Sequence, residues 1–439
     1  MTGDMWIGLG GLAGLFLLIA LHVPIGVALI LVGVLGTGTL IGFEPALSLL
    51  AIEPSASMAS EGLAIVALFI LMGNLAHVSG LSAELYRVAD HFLGHLRGGL
   101  VFATVGASAG FGAVCGSSVA TTATMAKIAL PEMLDRGYAR SLAAGSIASG
   151  GTLGMMIPPS LILILYGVLT ENSVMALFIA AIVPGVLAVV FYVLSVFLTV
   201  RLRPALAAPG PRRTWADRRR ALVDSWGIVT LIAAVSGGIY GGVFTVAEAA
   251  AVGTTAALLL GVFRRRLDGR KFIACLRDSA SSTGMIFVII IGASVYSYFA
   301  TLSGLPTAIV DWISGLGLPP LAVITMLLLM YLVLGSVFDT IAAMVLTLPV
   351  VYPLILDMGY DPIWWGIINV VVMELGMITP PFGINVFVLR GMANDIPLGA
   401  IYRGVVPFVV ADLLRLVVLV LLPALTLWLP MELGWIKAK

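Results

Sequence analysis

The sequence predicts an all-α polytopic membrane protein built from two inverted repeats. Each repeat holds a re-entrant helical hairpin and a broken transmembrane helix. Composition comes first: 60% of residues are hydrophobic and 10% are charged. Mean hydropathy is +1.13, and uncharged runs long enough to span a bilayer recur from end to end. The second observation is a repeated heptapeptide. Leu153-Gly154-Met155-Met156-Ile157-Pro158-Pro159 returns 222 residues later as Leu375-Gly376-Met377-Ile378-Thr379-Pro380-Pro381. Each copy places Gly and a Pro-Pro pair in an apolar run, where they break a helix. Third, basic residues concentrate in Arg201 to Arg220 and Arg264 to Lys271, which assigns both segments to the cytoplasm.

The elements follow in order. Met5 to Leu21 reads as mature structure, because Asp4 replaces the basic start of a signal peptide and another apolar run follows at once. The loop 43–61 holds Glu44, Glu53 and Glu61 without a cation, so it faces outward. Gly62 opens a run ending in Ser79-Gly80-Leu81, followed by an amphipathic stretch, 82–97, with His91 and His95 on its solvated face. Arg87 and Arg97, with Lys127, Arg136 and Arg140 beyond, turn this stretch toward the cytoplasm. Gly110, Gly112 and Gly116-Ser117-Ser118 interrupt residues 99–134, whose halves are too short to span. A hairpin turning back at mid-membrane is expected, and then a broken helix over 138–170. The first repeat is thus 1–202, and 203–225 is a cytoplasmic basic linker with three prolines and six arginines.

The second repeat, 226–439, opens with an out-and-back pair, 226–242 and 244–264. Gly284 begins a run ending in Ser303-Gly304-Leu305, and the stretch after it, 306–316, carries Asp311 but no Lys or Arg. A hairpin over 319–356 is expected to turn at Gly335-Ser336, with a broken helix over 361–394. Equivalent parts lie on opposite sides, so the repeats are inverted. The count puts both termini outside, against which Lys437 and Lys439 weigh.

Several classes are excluded. Net charge is +1, so no nucleic-acid footprint exists. Cys115 and Cys275 make neither a disulfide framework nor a metal cluster. There is no P-loop for ATP and no Gly-x-Ser-x-Gly elbow. An intramembrane protease would need paired aspartates or Ser/His at membrane depth, where only Asp339 qualifies.

Paired breaks in two halves mark a repeat-built secondary transporter with its site at unwound backbone. Neutral oxygens gathered there suit Na⁺, and exposed helix N-termini suit a carboxylate. The first Na⁺ set is Ser117, Ser118, Thr121 and Thr122 with Gly151, Thr152 and Gly154. The second is Gly335, Ser336, Asp339 and Thr340 with Glu374, Gly376 and Thr379. Substrate is expected between the tips, at Ser117, Ser118, Thr152, Pro158, Thr379, Pro380 and Asn385. Asp339 is the sharpest of these: an ionisable group at mid-membrane costs roughly 2.5–3.5 kcal/mol, which favours a functional role, although it would also cap a helix. Asp412 and Arg415, three apart, are expected to pair; Glu248 has no evident partner. No enzymatic activity and no cofactor beyond Na⁺ as coupling ion are expected.

These residues resemble the large membrane subunit of tripartite ATP-independent periplasmic (TRAP) transporters, across essentially the whole chain. The resemblance rests on Gly112 to Ala120, Gly151 to Ser160, Gly237 to Thr245 and Thr379 to Asn385. It implies a sodium-driven elevator transporter of the bacterial inner membrane, a small partner subunit of four helices, and a periplasmic receptor that delivers organic acids such as C4-dicarboxylates. The family's Phe-Thr-Pro-Thr-Glu is replaced here by Phe244-Thr245-Val246-Ala247-Glu248. Because the chain opens directly on the first repeat, a separate small subunit is expected. A stand-alone divalent-anion/sodium symporter, needing no receptor, fits the same hairpins.

Overall fold

The computed structural model describes residues 3–436, so Lys437 and Lys439 lie outside the described residues. Its first half runs α1 (Gly3–Ala20), α2 (Ile25–Ile41), α3 (Phe43–Met58), α4 (Glu61–Val78), α5 (Leu81–Leu93), α6 (Gly99–Cys115), α7 (Ser118–Asp135), α8 (Arg140–Met156), α9 (Leu161–Leu169) and α10 (Val174–Leu202). A connecting stretch holds a single 3₁₀ turn, Pro204–Leu206, and α11 (Trp215–Asp224). The second half opens with α12 (Trp226–Ile232), which passes through a π-helical turn, Ala233–Gly237, into α13 (Gly238–Tyr240). Then come α14 (Val246–Phe263), α15 (Gly269–Leu302), α16 (Leu305–Gly315), α17 (Pro320–Val337), α18 (Thr340–Asp357), α19 (Pro362–Gly376), α20 (Ile384–Met392), α21 (Leu398–Leu421) and α22 (Ala424–Glu432). By length and composition eight of the described helices can cross a membrane, or ten if each bent pair is one span.

Local chemistry accounts for the breaks. Gly80 (φ 75°) and Gly304 (φ 68°) take the left-handed conformation that ends α4 and α15 after matching Ser-Gly-Leu triplets. α8 and α9 bend by 42° across the first Pro-Pro pair. α7 and α18 open at Ser118 and Thr340, and α8 and α19 at Arg140 and Pro362, each pair 222 residues apart.

Four expectations change. Residues 43–58 form α3 rather than a loop, and Gly335-Ser336 lies in the last turn of α17. The turn falls at Phe338-Asp339, where Asp339 caps α18. The arms of the second hairpin are each long and apolar enough to cross a membrane, so length alone does not decide how deep they reach. His91 and His95 are half-buried, not solvated.

The 203–225 segment is ordered by α11. Thr214 and Asp217 form a reciprocal capping box at its start, and the Thr214 hydroxyl and N–H hold the Asp217 carboxyl below its ordinary value. Gly210 N–H donates to the Gly94 carbonyl (3.0 Å), and Arg264 bonds Glu84 of α5. Asp90 and Glu132 both hold Arg136. Burial opposes that guanidinium's charge, but the bonds from the two acids outweigh it and raise its value.

Two apolar cores support the two Pro-Pro loops. One gathers α2, α4, α9, α14, α15 and α17–α19; the other gathers α6–α8, α10, α20 and α21. α2 meets α15 with hardly a side chain between them: a Cβ on Gly26 would lie 2.7 Å from the Val288 carbonyl oxygen. Such small-residue contacts are how helices associate when lipid removes the hydrophobic drive.

Candidate functional site

The first tip is Gly116-Ser117, between α6 and α7. Gly116 is left-handed (φ 62°), and Ser117 Oγ accepts from Ala120 N–H (3.3 Å), capping α7. That start of α7 lies against the end of α8, where glycines permit contact. A Cβ on Gly151 would stand 1.8 Å from Thr122 Oγ1. One on Gly154 would stand 2.7 Å from Thr121 Oγ1 and 3.2 Å from the Ser117 carbonyl oxygen. Ser117, Ser118, Thr121, Thr122, Gly151 and Gly154 are therefore brought together. The hydroxyls of Thr121 and Thr122 are buried without a hydrogen-bond partner, as are those of Ser108 and Ser149 nearby. Each such group costs on the order of 1–3 kcal/mol if left unmet.

Thr152 is turned elsewhere. Its hydroxyl donates to the Ser149 carbonyl (2.7 Å) and lies 2.9 Å from the Tyr192 hydroxyl. Tyr192 donates to Asp412 (2.5 Å), and Asp412 pairs with Arg415 (3.0 Å), both fully buried. The expected Asp412–Arg415 pair is present, and Tyr192 ties it to the first loop.

The second tip, Phe338-Asp339, repeats the arrangement with different contacts. Asp339 Oδ2 accepts from Ile341 N–H (3.1 Å) and caps α18. Gly335 and Gly376 bring α17 onto α19: a Cβ on Gly376 would lie 2.7 Å from the Gly335 carbonyl carbon. In the first half Gly112 and Gly154 touch the same way, with a Cβ on Gly112 2.3 Å from Gly154 Cα. The Ser336 carbonyl accepts from Gly383 N–H (2.9 Å), and Thr340 Oγ1 lies 3.1 Å from Met377 Sδ. Thr379 donates to the Leu375 carbonyl (2.6 Å). Glu374 is fully buried, with one oxygen unpaired. Pro158 is buried and Pro380 exposed.

Asn385 joins the halves. From the start of α20 it donates to Ser118 Oγ (2.6 Å) and to the Ala148 carbonyl (3.2 Å), while its own Oδ1 is buried and unpaired. Sequence reasoning placed Asn385 near substrate but did not pair it with the first tip. It missed Tyr192 altogether; the only signal was a hydroxyl in the middle of an apolar run.

The chain matches the family model described as "Tripartite ATP-independent periplasmic transporter, DctM component" over residues 12–425. It is 35% identical to the C4-dicarboxylate TRAP transporter large permease protein DctM of Pseudomonas aeruginosa, over 92% of this chain and 94% of that one. The chain belongs to the DctM family. It is therefore a transporter rather than an enzyme, a multi-pass protein of the bacterial inner membrane and the large permease subunit of a solute-uptake system. The sialic acid TRAP transporter large permease protein SiaM of Vibrio cholerae is 28% identical over 83% of this chain and 85% of that one. The isethionate TRAP transporter permease protein DctMQ of Oleidesulfovibrio alaskensis is 31% identical, over 95% of this chain and 65% of its own length. In fold, the chain is similar to the YdaH transporter of Alcanivorax borkumensis, with TM-score 0.59 and 18% identity over 89% of this chain and 90% of that one. Neisseria gonorrhoeae MtrF gives 0.55 and 14%, over 86% and 84%. In this DctM-family chain Glu248 has a partner after all: it closes a capping box with Thr245 at the start of α14 (2.8–3.2 Å).

Proposed function

We propose that this subunit carries an organic acid inward, coupled to Na⁺, between two tips that face two unwound loops. The observation that carries the reading is the cluster of buried, unpaired neutral oxygens where α7 meets α8, closed from the other half by Asn385. Neutral oxygens of this kind replace the hydration shell of a hard monovalent cation. The fully helical N-terminal turns of α7 and α18 add partial positive charge for a carboxylate. Two inverted repeats, with one bundle moving as an elevator, are supported by the 222-residue spacing between the starts of α7 and α18 and between those of α8 and α19. A small four-helix subunit and a periplasmic receptor complete the system, as the family implies. Relatives named for C4-dicarboxylate and sialic acid support a carboxylate, with a C4-dicarboxylate first, and the relative named for isethionate, a sulfonate, keeps the substrate within organic acids.

The test is uptake by proteoliposomes holding the subunit and its small partner. Accumulation is expected with an inward Na⁺ gradient and receptor outside. Equal uptake with K⁺ alone, or a requirement for ATP, would sink the coupling. Full uptake without receptor would support the stand-alone symporter instead.

A further inference from the structure

α8 and α21 cross backbone to backbone. A Cβ on Gly404 would lie 1.8 Å from the Ser141 carbonyl oxygen, and one on Gly145 would lie 2.1 Å from the Gly404 carbonyl carbon. The contact sets the first turns of the two helices side by side, with α10 packed against both. Among their ends lies a cavity of about 470 Å³ whose lining includes Arg140, Arg203 and Arg403 with Ser141 and Thr199. No acid lines it. Asp395, in the turn before α21, stands 3.8 Å from Arg140, and both are about three-fifths exposed. An exposed pair of that kind contributes roughly 0–1 kcal/mol, so it does not neutralise the cavity. Arg403 uses only its Nε, donating to the Gly399 carbonyl (3.2 Å), and its two terminal nitrogens remain for another acceptor. The N-termini of α8 and α21 add positive potential, against the single C-terminus of α10.

The surface next to this cavity is apolar. Leu194, Phe197 and Leu198 of α10 and Val406 and Val410 of α21 are all exposed. We propose that the cavity binds the phosphate of an anionic phospholipid whose acyl chains lie along these faces of α10 and α21. Guanidinium groups pair with phosphate oxygens two at a time, and basic pockets between membrane helices on the cytoplasmic side take acidic headgroups. The basic ends of the same helices assign that side. Binding is independent of Na⁺ coupling, so it can fail without touching the transport reading.

The test is thermal unfolding of the purified full chain in detergent, with phosphatidylglycerol, phosphatidylcholine or inorganic phosphate added. Phosphatidylglycerol is expected to raise the midpoint by several degrees and phosphatidylcholine not at all, the mass-action effect of a ligand bound only by the folded state. Arg403→Gln should raise the half-saturating lipid concentration about tenfold, as loss of one charge-assisted contact does. Arg203→Gln with Arg403→Gln should abolish the shift, whereas Arg219→Gln with Arg220→Gln on α11 should preserve it. Native mass spectrometry of the single variants, counting retained phosphatidylglycerol, covers a double variant that folds poorly. An unchanged shift in Arg403→Gln, or an equal shift with phosphatidylcholine, overturns the proposal. A full shift from inorganic phosphate, with lipid adding nothing, overturns the lipid assignment and gives the cavity to a soluble anion.

Discussion

Pro158, Pro159 and Ser160 are buried, whereas Pro380, Pro381 and Phe382, after the matching Leu-Gly-Met, are exposed. The break itself has one cause in both places, since Pro-Pro removes two donors and clashes with the preceding turn. Beyond the prolines the two copies part. Ser160 folds its hydroxyl back onto the Met155 carbonyl, and Leu161 to Tyr166 then enter the core without a gap. In the second copy α20 starts only at Ile384, after Gly383 in a left-handed conformation (φ 63°). There Tyr402 reaches the carbonyls of Pro381 (3.0 Å) and Phe382 (2.5 Å) from α21. A closed loop and an open one can therefore grow from one motif. The environment is set by the residues after the prolines and by the helix that packs on them.

The largest effect should separate the two tips. Asp339→Ala is expected to cut Na⁺-driven uptake about 100-fold, the scale of a lost charge-assisted contact worth ~3 kcal/mol, with expression unchanged. Ser117→Ala should cost much less, since carbonyls crowd the same place. Equal losses would mean that the tips are equivalent, and unchanged uptake in Asp339→Ala would leave that residue a helix cap.

Next come the glycine contacts. Gly112→Ala drives a methyl into Gly154 backbone, against the second half's milder approach of Gly335 to the Met373 carbonyl oxygen (2.8 Å). Gly112→Ala should lose about 1–3 kcal/mol, as overpacked interiors do, seen as a lower unfolding midpoint. A larger loss from Gly335→Ala would reverse the assignment of the tighter half.

Asn385→Ala removes the link between halves. Uptake should fall about tenfold, consistent with ~1–3 kcal/mol for polar groups left unmet. If Asn385→Ala behaves like the wild type, the first tip does not depend on the second loop.

Labelling reads the comparison directly. With Cys115 and Cys275 both buried, Phe382→Cys should react with a water-soluble thiol reagent and Ser160→Cys should not. Matching rates would erase the difference between the loops. Smallest of all, Tyr402→Phe should raise the apparent KM a few-fold by freeing the open loop, the effect of a hydrogen bond worth about 1 kcal/mol. An unchanged KM would show that Tyr402 does not hold that loop.

By itself the sequence determined several features that depend on near neighbours, though it missed the local capping box of Thr245 and Glu248 and the helix over 43–58. Glycines 80 and 304 end their helices, and Pro-Pro pairs break two more. Each works through backbone clashes and donors within four residues. The second hairpin shows where that reasoning stops. Gly335-Ser336 had the composition of a turn, yet α17 continues to Val337, and Asp339 supplies the start of α18 two residues later. Only tertiary structure decided that Asn385 meets Ser118, that Tyr192 joins Thr152 to Asp412, and that Arg140, Arg403 and Arg203, which follows α10, share one cavity. Those partners lie far apart along the chain, and their meeting depends on which helices touch. No local pattern encodes that, because the glycine contacts which bring the helices together leave the same small-residue signature wherever they occur.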